Sequence, residues 1–222
     1  MLVSVLLGAA LAAPPVPVHS GSHPCMDRDY PRMDGALLVA CDRLRRPTVR
    51  IDPVTLESTK VESGPDQPII DTLVPPMRMG SRAAVSAYGV AWVAAGAEGR
   101  RELWWRAADK PLPIALEVGA ADPHHPVSDG KQIAWVSAGR IKTFDPTTGD
   151  RSIIEAQTGF HSPPSYHLGV LCWETRTGKD VDIACSDGLK LERSGHQTRP
   201  IRTTHRLFFM ENGMLWAWDM SP

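Results

Sequence analysis

The chain has 222 residues, 42% hydrophobic and 22% charged, an ordinary globular composition that excludes a disordered, collagen-like or highly charged tail protein. Lys and Arg number 24 against 25 Asp and Glu, a net charge of −1, so there is no basic excess to draw a phosphate backbone and nucleic acid is not an expected partner.

Residues Met1 to Ala12 read MLVSVLLGAALA, an uncharged apolar run ending in the small-x-small pattern Ala10-Leu11-Ala12. Pro14, Pro15 and Pro17 follow, so no helix continues. The run is well short of the ~20 residues that a spanning helix needs. It reads as a secretory signal peptide over residues 1–12, which leaves 13–222 as one domain, periplasmic or secreted, with no membrane span. Ser22-His23-Pro24 before Cys25 does not fit a lipoprotein anchor.

Five segments then repeat one pattern: a short apolar strand, a turn, and a second alternating strand. Ala36–Cys41 leads to Thr48–Asp52, with Arg43, Arg45 and Arg46 in the turn between them, read as a solvated loop. Gly89–Val93 leads to Glu102–Trp105, and Gly130–Val136 to Arg140–Asp145. Gly169–Trp173 leads to Val181–Cys185, and Arg206–Met210 to Met214–Asp219. Three first strands carry a small-then-aromatic pair, Ala91-Trp92, Ala134-Trp135 and Cys172-Trp173, which reads as packing between repeats. Trp104 and Trp105 are adjacent on a strand and so face opposite sides. Asp52-Pro53-Val54-Thr55 and Asp145-Pro146-Thr147-Thr148 are matching turns, where Pro fixes φ and Asp or Thr bonds the turn backbone. No helical periodicity of useful length occurs.

The leading glycines Gly35, Gly89, Gly130 and Gly169 recur roughly every 40 residues after a longer first interval, the period of a propeller blade. The segment Ser128-Asp129-Gly130-Lys131-Gln132-Ile133-Ala134-Trp135 resembles the repeat of TolB-like β-propellers, roughly Ser-Pro-Asp-Gly-Lys-x-Ile-Ala-aromatic, without the Pro. The other repeats keep only the hydrophobic pattern and turns. This resemblance implies an all-β propeller fold and says little about activity. Five blades of about four antiparallel strands are expected; a sixth could lie in 65–80. The last repeat stops after its third strand, so Val16-Pro17-Val18-His19 is expected to supply the fourth and close the ring.

The four cysteines are Cys25, Cys41, Cys172 and Cys185, an even number without CxxC, which suggests two disulfides and no zinc ribbon. Counting outward from a two-residue Gly178-Lys179 loop sets Thr177 opposite Asp180 and Cys172 opposite Cys185. Cys25 and Cys41 are left to each other by elimination.

His124, His125, His161 and His196 precede the inner strands of three repeats, where outer-to-inner connections would border one mouth of a central channel. They are the candidate ligand-binding residues. No GxSxG elbow, P-loop, Rossmann fingerprint or HExxH spacing is present, so no catalytic residue, metal ligand set or cofactor is assigned. The reading is an exported, non-catalytic, monomeric propeller that binds a protein or glycan. The alternative is a channel-mouth lyase or hydrolase, metal-assisted through the histidines.

Overall fold

The computed structural model describes residues 14–20, 32–34, 37–41, 47–52, 54–60, 83–96, 99–119, 122–154 and 163–220. These form twenty strands and, among the described residues, no α-helix. None of the described elements is a helix long and apolar enough to cross a membrane.

The strands make five four-stranded antiparallel sheets. The first holds β2 (Arg32–Asp34), β3 (Leu37–Cys41), β4 (Pro47–Ile51) and β5 (Ser58–Lys60). The second holds β6 (Ala83–Ser86), β7 (Gly89–Ala95), β8 (Arg101–Ala107) and β9 (Ile114–Glu117). The third holds β10 (His124–Ser128), β11 (Ile133–Ser137), β12 (Arg140–Phe144) and β13 (Arg151–Ile154). The fourth holds β14 (Ser165–His167), β15 (Val170–Thr177), β16 (Asp180–Cys185) and β17 (Lys190–Leu191). The fifth holds β18 (Gln197–Arg202), β19 (Arg206–Glu211) and β20 (Met214–Asp219), and its fourth strand is β1 (Val16–Ser20). Val16 lies opposite Ala217 and Ser20 opposite Met214.

A strand packed on one face alternates buried and exposed; one covered on both faces does not. All five residues of β11 are buried, because neighbouring sheets cover both of its faces. Ala91, Leu103 and Trp105 of the second sheet pack with Ile133, Trp135 and Phe144 of the third. Ala134 and Ile141 meet Leu171 of the fourth. Cys172, Ile183 and Cys185 meet Leu207 and Phe209 of the fifth. Phe208, Met210 and Leu215 of the fifth meet Ile51 of the first. Of the three aromatic residues expected to pack between repeats, Trp135 and Trp92 are buried and Trp173 is half-buried. Trp105 is buried and Trp104 half-buried, as opposite faces of one strand require.

One set of turns is cross-linked from sheet to sheet. Ala87 N donates to Gly130 O at 2.8 Å. Gly169 N donates to Asp129 Oδ2 at 3.0 Å. His167 Nε2 lies 3.2 Å from Thr204 Oγ1. Arg206 Nη1 donates to Val54 O. The turns themselves close as their sequences require. Asp52 Oδ1 accepts from Val54 N at 2.7 Å and Thr55 N at 3.0 Å, and Asp145 Oδ1 accepts from Thr147 N at 2.8 Å.

Candidate functional site

His124 and His125 open the first strand of the third sheet. Their rings meet edge to face with centroids 4.9 Å apart. Nδ1 of His124 donates to the Asp122 carbonyl at 2.9 Å. A carbonyl only accepts, so the neutral ring carries its lone pair on Nε2. The Asp122 carboxylate is held by Arg101, whose Nε and Nη2 donate at 2.5 and 2.6 Å. That hydrogen-bonded pair holds the Asp122 carboxyl below the usual carboxylate range.

The backbone at this point is irregular in a way that recurs. His124 pairs with Val136 and Val127 with Ala134, so His125 and Pro126 together face Trp135. In the fifth sheet Thr198 pairs with Met210 and Ile201 with Phe208, so Arg199 and Pro200 together face Phe209. His125 has φ 52° and Arg199 has φ 57°, both left-handed. Each is the residue before a buried proline. Two first strands thus carry the same bulge, each at a residue other than glycine held in the left-handed conformation that glycine adopts most easily.

The structure brings His124 and His125 together. His196 is exposed at the start of the fifth sheet, bridged to Val181, and has no described contact with them. His161 and Cys25 lie outside the described residues; of Cys41 only its place in β3 is described. Among the described residues no three His, Cys, Asp or Glu side chains come close enough to hold a metal ion. Cys172 and Cys185 are opposite each other and bonded, with Cα atoms 4.0 Å apart. Both are buried in the seam between the fourth and fifth sheets.

Sequence reasoning missed the polar groups buried in the seams. Between the second and third sheets, the Glu117 carboxylate accepts from Trp135 Nε1, from Ser137 Oγ at 2.8 Å and from Lys142 Nζ. Burial pushes the Glu117 carboxyl up, but those three donors outweigh it and its pKa is lowered. Among the cross-linked turns, burial pushes the Tyr166 hydroxyl up to about 12, with the Asp129 and Asp145 carboxylates adding to the effect. Hydrogen bonds from Thr147 and Gln132 lower Asp145 to about 2.

A second polar group lies between the fourth and fifth sheets, beside His196. Gln197 is fully buried and its Nε2 donates to Glu211 Oε1 at 2.7 Å. Arg193 Nη2 lies 3.5 Å from Glu211 Oε2. The Arg193 guanidinium sits over the Trp216 ring, 5.2 Å from its centroid. No spacing in the sequence announces this group. Gln197 and Glu211 lie directly opposite each other on β18 and β19, Trp216 is on the neighbouring β20, and Arg193 comes from the loop leading into the same sheet.

No family model matches the sequence, and no curated protein matches it. In fold the chain resembles TolB-like propellers among solved structures. TolB from Acinetobacter baumannii matches over 83% of this chain and 40% of its own, with 13% identity and a TM-score of 0.38. BamB from Moraxella catarrhalis matches over 85% and 71%, with 13% identity and a TM-score of 0.36. A putative 6-phosphogluconolactonase from Bacteroides uniformis matches over 80% and 61%, with 15% identity and a TM-score of 0.35. The chain therefore spans well under half the length of that TolB.

Proposed function

We infer that this chain is an exported five-bladed β-propeller, closed by its N-terminal strand, that acts as a non-catalytic module binding a protein or glycan at the mouth where its first strands begin. The seams support the ring: second sheet on third, third on fourth, fourth on fifth, and fifth back onto first. The first strands β6, β10, β14 and β18 lie side by side in that order, as strands around a central axis would. The pairing of β1 with β20 gives the fifth blade its fourth strand. The buried disulfide and the apolar leader support export to an oxidising compartment.

The observation that carries the binding reading is the matched pair of bulges at His125 and Arg199. A left-handed L-residue costs ~1–2 kcal/mol. Such conformations cluster where a side chain must be aimed for function. Two blades hold the same conformation at equivalent positions, one with imidazole and one with guanidinium.

The test is site-specific photo-crosslinking in an exporting host, with the reactive residue at position 125, at 199, and at Ile153 on an outer strand as the control. Discrete adducts are expected from 125 and 199 and none from 153. Equal labelling at all three positions, or none at the mouth, would remove the reading.

A further inference from the structure

We propose that the seam between the fourth and fifth sheets contains a binding subsite for a neutral sugar, formed by Trp216, Gln197 and Glu211 and covered by Arg193. This rests on the binding-module reading and names a ligand class for it.

Four buried side-chain polar atoms among the described residues lack a hydrogen-bond partner, and three belong to this one group: Arg193 Nη1, Gln197 Oε1 and Trp216 Nε1. A buried donor or acceptor left unpaired costs ~1–3 kcal/mol. Three together mark a place built to pair with something else. The Gln197 amide cannot turn over to satisfy itself, because its Nε2 is needed by the Glu211 carboxylate at 2.7 Å. Its oxygen therefore remains an acceptor. The other two atoms are donors, one on a guanidinium and one on an indole.

The chemistry of the missing partner follows from that set. With Arg193 swung aside, it must accept from Trp216 Nε1 and donate to Gln197 Oε1. A carboxylate has nothing to donate to Gln197 Oε1, and a phosphate would set its own negative charge against the Glu211 carboxylate. An ammonium has nothing to offer Trp216 Nε1. A hydroxyl does both, and neighbouring hydroxyls on one ring can share the Glu211 carboxylate.

Arg193 is the movable part. Its side chain is 35% exposed, whereas that of Glu211 is 7% exposed. Its contact with Glu211 is long, at 3.5 Å, and its guanidinium occupies the indole face. Such a cation–π contact is worth only ~0.5–2 kcal/mol. Swinging Arg193 outward uncovers the flat apolar face of Trp216 together with Gln197 and Glu211. An aromatic face flanked by hydrogen-bonding amide and carboxylate groups suits a pyranose, whose C–H face stacks while its hydroxyls pair.

The experiment follows the indole N–H resonances of the intact exported chain, with nitrogen-15 in its tryptophans and Trp216 assigned through Trp216→Phe. Methyl glycosides of glucose, galactose, mannose and N-acetylglucosamine are titrated into the tens-of-millimolar range. At least one is expected to shift the Trp216 resonance saturably. Arg193→Ala, which removes the cover, should tighten that binding several-fold. Gln197→Ala should weaken it about tenfold, as loss of one buried hydrogen bond would. The other indole resonances report whether each variant stays folded. If no glycoside moves the Trp216 resonance in the wild type or in Arg193→Ala, the subsite is overturned, and the mouth reading stands on its own crosslinks. A glycoside that binds here and is cleaved, releasing methanol, would support the subsite and overturn the non-catalytic reading.

Discussion

At the scale of single residues, charged groups set the pH response. Glu117 is a carboxylate almost removed from water and held by three donors from the next sheet. Its pKa in the folded chain is below the ordinary 4.5. On acidification the unfolded chain therefore takes up this proton first. The stabilisation from Glu117 is complete above pH 4.5 and is lost as pH falls through the folded value. Glu117→Gln keeps the shape but loses the charge, and it leaves Lys142 without its partner. Urea unfolding at neutral pH should show a loss of ~1.5–3 kcal/mol, the range for hydrogen bonds to a charged group. The gap between variant and wild type should narrow as pH drops below 4.5. A gap that stays constant from pH 7 to pH 3 would remove Glu117 from the role of charged anchor.

At the scale of elements, hairpin turns show how closely local sequence follows local geometry. Tight two-residue turns with both φ positive favour Asn-Gly. Asn212-Gly213, with φ 53° and 74°, obeys that rule between β19 and β20. Ala138-Gly139, with φ 50° and 74°, occupies the same place between β11 and β12. Leu168-Gly169 repeats the geometry between β14 and β15, with φ 49° and 80°. Alanine has no side-chain oxygen to ease the left-handed conformation, and Ala138 is exposed. Ala138→Asn should therefore stabilise the chain by about 0.5–1 kcal/mol, read as a higher urea midpoint at unchanged slope. A lower midpoint would show that the turn depends on the methyl group. The disulfide belongs to this scale as well. Its register is legible because a two-residue loop between Thr177 and Asp180 fixes every pair above it. The bulges at His125 and Arg199 are not legible in that way. Proline signals an interruption, but only the partner strand decides which residue is doubled.

At the scale of the whole molecule, the longest-range pairing joins β1 to β20. Its residues, Val16 to Ser20, meet Met214 to Ala217, nearly the full chain apart. That contact can form only after the last hairpin is in place, so its closure is a late and topologically costly step. Removing residues 14–20 should leave β20 as an open edge. Each lost backbone hydrogen bond is worth about 1 kcal/mol net. The shortened chain should melt at a lower temperature and self-associate on size-exclusion chromatography, because an open edge invites pairing with another chain. Equal melting temperatures for both forms would show that β1 contributes nothing to the fifth sheet's stability.

The sequence by itself determined the strand class, the hairpin register of Cys172 and Cys185, the Asp-led turns and the pairing of the segment around Val16 to His19 with the last hairpin. Each rests on period-two alternation, turn chemistry or a count of strands, which neighbours along the chain specify. Only the tertiary structure decided which polar groups face each other across the seams. Glu117 on the second sheet reaches Trp135, Ser137 and Lys142 on the third because the two sheets are stacked. Their meeting depends on the spacing and stacking of whole sheets, which no short stretch of sequence encodes.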